Sequence, residues 1–78
     1  MDVEIEYCVA CGLLDQAIEV ERLLLGEFGT KLASVRLRTG ADGVFKVRVG
    51  AEEIFDSRRD GWDPDGIRTA VANRFVTA

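Results

Sequence analysis

Residues 3–14 run Val3-Glu4-Ile5-Glu6-Tyr7-Cys8-Val9-Ala10-Cys11-Gly12-Leu13-Leu14, and the fold class turns on them. Val3, Ile5 and Tyr7 alternate with Asp2, Glu4 and Glu6, the pattern of a strand with one buried and one wet face. The alternation ends at Cys8, and from Leu13 to Phe28 the apolar residues recur with helical spacing. Leu13, Leu14, Ala17, Ile18, Val20, Leu24, Leu25 and Phe28 share one arc of about 160°. Gly26 and Gly29, with Lys31 beyond, are stop signals. A Cys-x-x-Cys pair therefore lies where a strand hands over to a helix. Glu21 falls inside the apolar arc and Leu23 outside it. The plain reading puts Glu21 near the sheet edge, reaching water; the alternative is a partly buried carboxylate that tunes a thiol.

Downstream, Ala33, Val35 and Leu37 alternate with Ser34, Arg36 and Arg38 as a second strand, and Thr39 to Gly43 reads as a turn. Phe45, Val47 and Val49 mark a third strand, Gly50-Ala51 a turn, and Glu53 to Ser57 a short fourth strand. Ser57 to Trp62 reads as a loop. Asp63 suits an N-cap, Pro64 the first helical position and Asp65 the positive end of the dipole, so Ile67, Ala70, Val71 and Phe75 line a closing helix. The order is β-α-β-β-β-α. A helical crossover between the first two strands implies a parallel, right-handed pair, with Glu4 and Glu6 facing Arg36 and Arg38. Alternation throughout leaves one sheet face wet, so both helices are expected on the other. The expected fold is an α/β two-layer sandwich with a four-stranded sheet, a single domain over residues 1–78.

Composition removes several function classes. The chain has 78 residues, with 10 Lys+Arg against 14 Asp+Glu for a net charge of −4. No Lys/Arg run exceeds Arg58-Arg59, which argues against nucleic acid as a partner. No apolar run approaches the roughly 20 residues that cross a bilayer, so no membrane partner is expected. Histidine is absent, which excludes Ser-His and Cys-His nucleophile pairs and every His-containing metal site. The acidic, alternating opening is the opposite of a secretory signal. Cys8 and Cys11 are the only cysteines. A bridge across so short a loop removes only about 2 kcal/mol of unfolded-state entropy, so it is a poor structural staple. A reducing, cytoplasmic setting is the expectation.

At a strand–helix junction the free amides and the positive dipole end favour a thiolate, so these cysteines are candidates for thiol–disulfide exchange. Two other readings stand beside this one: inert core cysteines, and half of a four-cysteine metal site shared across a dimer. No resident cofactor or metal is expected in a single chain. Strand directions place the loop after the second strand and the loop Ser57 to Trp62 at the cysteine end of the sheet. Arg58, Arg59 and Trp62 are therefore candidate substrate- or partner-binding residues, the guanidinium groups steadying a thiolate and the indole offering a flat surface to a peptide or glutathione. The bland alternative is that both arginines are solvated and Trp62 caps the core. Leu23 and Leu25, on opposite flanks of the helix, leave room for a homodimer.

The run Val3 to Cys8-x-x-Cys11-Gly12 resembles the opening of the selenoprotein W-like (Rdx) family of thioredoxin-like proteins. The likeness continues through Ala17, Leu24, Phe28, Val35, Leu37, Gly40, Gly43, Phe45, Val47, Val49 and Gly50 to Ile54, Ser57 and Arg58. It implies a thioredoxin-like β-α-β-β-β-α fold and a thiol oxidoreductase or antioxidant role, with glutathione or protein thiols as exchange partners. Animal members carry selenocysteine where this chain has Cys11, which implies that Cys11 is the more reactive thiol and Cys8 the resolving one; ordinary thioredoxins attack with the first cysteine. Gly29 stands where many relatives have proline, and their Phe-Pro-Asp segment appears here as Trp62-Asp63-Pro64-Asp65, one residue longer. The same residues serve a catalyst or a non-catalytic interaction module whose thiols gate or anchor partner binding. Turnover of a disulfide substrate separates the two.

Overall fold

A computed structural model describes the backbone of residues 1–77 and the side chains of residues 1–75. Strand β1 (Asp2–Cys8) is followed by helix α1 (Leu14–Phe28), a 3-10 turn (Gly29–Lys31), β2 (Ser34–Gly40), β3 (Phe45–Val49), β4 (Glu52–Asp56), a short helix α2 (Ser57–Asp60) and helix α3 (Pro64–Thr77). The sheet order is β2-β1-β3-β4. β1 pairs parallel with β2 and antiparallel with β3, and β4 runs antiparallel to β3. The expected α/β sandwich with a four-stranded sheet is present, with two short elements more than the sequence pattern showed, the 3-10 turn and α2.

Three boundaries differ from expectation. Thr39 and Gly40 belong to β2 and not to the turn, because the parallel ladder runs on to Tyr7↔Thr39 and Cys8↔Gly40. Cys8 is correspondingly the last strand residue and not part of a loop. The fourth strand stops at Asp56, and Ser57 opens a helical turn where a loop was expected. Aspartates create that turn: Asp56 Oδ1 accepts from Arg58 N at 2.9 Å, and Asp60 Oδ2 accepts from Asp56 N at 3.1 Å. Two carboxylates thus tie the amides at the start of the turn, and Gly61 N donating to Ser57 O at 2.9 Å closes its end, a local bond set that helical periodicity cannot reveal over so few residues.

The two long helices share one side of the sheet. Val3 and Ile5 of β1, Ala17, Val20 and Leu24 of α1, Phe45 and Val47 of β3, Phe55 of β4, and Ile67 and Val71 of α3 are buried together. Only the centre of the α1 arc is fully covered; Leu14 and Leu25 on its flanks are 46% and 45% exposed. Glu21 is half-buried, two turns along α1 from the cysteine end. Asp63 caps α3 by accepting from Gly66 N at 2.9 Å, as its position before Pro64 implied.

The other sheet face is ionic. Glu4↔Arg36 and Glu6↔Arg38 are in register across β1 and β2, and Glu4↔Arg48 and Glu6↔Lys46 across β1 and β3. Glu4 pairs with Arg36 at 2.7 Å, Arg48 at 3.3 Å and Arg38 at 3.4 Å, while Glu6 takes Arg48 at 2.9 Å. The hydrogen bond from Arg36 is the largest cause holding the Glu4 carboxyl below its ordinary value, with Arg38 adding to it against a partial cost of burial.

Candidate functional site

Strand order decides the surroundings of the cysteines. Because β1 lies between β2 and β3, the connection 41–44 must arch over the C-terminal end of β1. Asp42 and Gly43 both have positive φ, 60° and 76°, and Val44 N donates to Ala41 O at 3.2 Å, the pattern of a type I′ turn. The Asp-Gly pair, elsewhere a hairpin signal, here turns the chain across a strand. Val44 O accepts from Cys8 N at 2.8 Å and Gly40 O from Val9 N at 3.2 Å. Gly40 is needed at this crossing: a Cβ there would lie 2.6 Å from Val44 Cγ1 and 3.0 Å from Glu6 Oε2.

The consequence is a pair of unlike sulfurs. Cys8 is fully buried, whereas Cys11 stands on the exposed turn 9–12. Their Cα atoms are 5.4 Å apart and the side chains form a disulfide, within the usual span for such a bond. The turn is closed by Gly12 N donating to Val9 O at 3.1 Å and Leu13 N to Cys8 O at 3.3 Å. Leu13 is the N-cap of α1 and offers no side-chain acceptor, so the amides of the first turn are left without a side-chain cap.

The remaining candidates take different positions. Arg58 reaches from α2 to the Asp42 carbonyl, clamping the turn that covers Cys8. Arg59 is held by Asp60 at 2.8 Å and by Glu53 of β4 at 3.6 Å. The Arg59 hydrogen bond, helped by the Asp56 amide, draws the Asp60 carboxyl down to about 2, and Asp60 in turn raises the Arg59 guanidinium. Trp62 packs edge-on against Phe45 with centroids 5.2 Å apart, and it stays 48% exposed.

Trp62, Leu13, Gln16, Phe45 and Ser57 line a groove of about 230 Å³. Gln16 Oε1 is buried there without a hydrogen-bond partner. Gln16, Ser57 and Phe45 were not singled out as site residues in the sequence. Phe45 reads simply as the inward phase of a strand, and nothing in the pattern around Gln16 or Ser57 marks them. Among the described residues, no group of three or more His, Cys, Asp or Glu is placed to hold a metal ion. No helix among them is long and apolar enough to cross a membrane.

A thioredoxin-like α/β sandwich with a disulfide-forming Cys-x-x-Cys at the end of its first strand is a redox-type thiol protein. The chain belongs to the Rdx family, whose profile matches residues 2–76. Among solved structures it is similar to a protein from Bordetella parapertussis, with a TM-score of 0.88 and 28% identity over 94% of this chain and 95% of that one. A selenoprotein W-related protein from Vibrio cholerae shares the fold, with a TM-score of 0.86 and 20% identity over 92% of each chain. A search of curated proteins found no match.

Proposed function

We propose that the protein carries out thiol–disulfide exchange in the cytoplasm, its Cys8/Cys11 pair cycling between dithiol and disulfide against protein thiols or glutathione. The observation that carries this reading is the asymmetry of the pair, Cys11 on an exposed turn and Cys8 buried, with their sulfurs within bonding reach. In the reduced protein, the Cys11 thiolate attacks one sulfur of a substrate disulfide. That S–S bond breaks, and the departing sulfur leaves as a thiolate that takes a proton from water. Cys8, deprotonated in turn, attacks Cys11 Sγ, releases the second substrate thiol and closes the Cys8–Cys11 bond. Two electrons have passed from protein to substrate, and an external thiol such as glutathione returns them. The uncapped amides of α1 support negative charge on sulfur at this end of the fold.

Trapping tests the assignment. Cys8→Ser is expected to accumulate a stable mixed disulfide on Cys11, seen by intact mass after incubation with a small disulfide, because no second thiol can resolve it. Cys11→Ser is expected to lose exchange by at least about 100-fold, since the remaining sulfur is covered. Undiminished exchange in Cys11→Ser overturns the order of attack. Full partner affinity in the double serine variant, with no disulfide turnover by the parent protein, favours the interaction module instead.

A further inference from the structure

The surroundings of Cys11 combine exposed apolar surface with unbalanced negative charge. Val9 lies between the cysteines and is 54% exposed, Leu14 is 46% exposed, and Trp62 is 48% exposed. The groove under Trp62 opens beside Leu13, five residues on from Cys8, and is lined in part by Gln16, whose Oε1 is buried without a partner. A buried acceptor without a partner is costly, and an occupant that brings an N–H to it relieves that cost.

The charges at this end of the sheet are not those of an anion site. Arg59 is ion-paired with Asp60 and Glu53, while Arg58 donates to the neutral Asp42 carbonyl and brings one cationic charge to this end. Among the described residues, the carboxylates of Asp15 in the first turn of α1 and of Asp42 in the turn over Cys8 make no ion pair, and Asp63 beside Trp62 accepts only from a backbone amide.

We propose, resting on the exchange reading above, that the preferred oxidised substrate is a protein segment whose cysteine is flanked by a large apolar residue and by Lys or Arg. The apolar side chain fills the Leu13/Phe45/Trp62 groove, a segment N–H donates to Gln16 Oε1, and the basic residues face Asp15, Asp42 and Asp63. Oxidised glutathione, polar and anionic, brings no apolar side chain to the groove, meets three carboxylates against the single unpaired Arg58, and is the poorer oxidant. The electron balance is that already given: the Cys8/Cys11 dithiol is oxidised, the segment's disulfide is reduced to two thiols, and an external thiol regenerates the protein.

The test compares reduction rates by the wild-type protein for four probes. These are a Trp-Cys disulfide peptide flanked by lysines, its twin flanked by glutamates, oxidised glutathione, and neutral bis(2-hydroxyethyl) disulfide. The lysine peptide is expected to react about tenfold faster than its acidic twin at low salt, with the gap closing near about 1 M salt, where screening reaches a few ångströms. Asp15→Asn/Asp42→Asn narrows the gap, and Trp62→Ala slows the lysine peptide about tenfold. Equal rates for the charged twins, a gap indifferent to salt, or faster reaction with oxidised glutathione overturns the proposal while leaving exchange itself intact. Failure to reduce even the neutral disulfide removes the exchange reading and the proposal together.

Discussion

The open face of the sheet and the surface above Cys8 are built from the same residue types and reach opposite outcomes. On the open face Arg36, Arg38 and Arg48 converge on Glu4, and Glu6 shares Arg48. Three guanidinium groups share two carboxylates there, so each carboxylate is paired. Above Cys8 Arg58 holds the 41–44 turn and Arg59 pairs with Asp60 of α2, and indole, aliphatic side chain and carboxylate share the surface with them. The lesson is that a guanidinium at the same end of the sheet as a cysteine pair need not serve it. Its effect depends on which acceptor the backbone has already offered.

Phe45 offers the strongest way to break that contrast. It is buried and meets both Phe55, with centroids 6.4 Å apart, and Trp62. Phe45→Ala is expected to lose about 3–5 kcal/mol in chemical denaturation, with Trp62 fluorescence shifting toward that of a solvated indole. A loss under about 1 kcal/mol shows that the surface above Cys8 stands apart from the core.

The ionic face is expected to give less. Glu4→Gln leaves three arginines without their shared carboxylate and is expected to lower stability by about 1 kcal/mol at low salt, and by less as salt screens the array. The Glu4 carboxyl is depressed in the folded state. Its contribution is therefore complete above the ordinary carboxylate value near 4.5 and declines as pH falls through the lower folded value. Wild-type stability should show this acid slope and the variant should lack it; identical slopes in both refute the array's role.

Asp60 sharpens the other side of the comparison with the smallest effect. Its carboxyl titrates at about 2 when folded against 3.8 ordinarily, so its hold on Arg59 and the Asp56 amide is whole above the ordinary value and fades as pH falls toward the folded one. A local change in Trp62 fluorescence over that window, missing in Asp60→Asn, is the expected signature. Loss of all structure in one step at higher pH shows that α2 has no separate acid transition.

Much of this was legible along the chain. The helix between the first two strands implied their parallel pairing, and the alternation of Val3, Ile5 and Tyr7 with acidic residues, against Arg36 and Arg38, implied the ionic face, because side chains of a strand alternate strictly between faces. Asp63-Pro64 marked the start of α3 because cap chemistry is local. The short helix at Ser57 was missed for the same reason inverted: its hydrogen bonds are local too, but they replace hydrophobic period with aspartate side chains, as Asp56 and Asp60 show.

The sequence alone determined the four strands and the two long helices, the position of Cys8 and Cys11 at the β1–α1 junction, and which face of each strand is apolar. Those properties follow from period, cap residues and charge, all of which act over a few residues. Tertiary structure alone decided that β1 lies between β2 and β3, so that the 41–44 turn closes over Cys8 and leaves Cys11 outside. It also decided that Trp62 and Gln16, far apart in the chain, border one groove. Burial and juxtaposition of this kind arise from contacts between distant segments, and no local pattern encodes them.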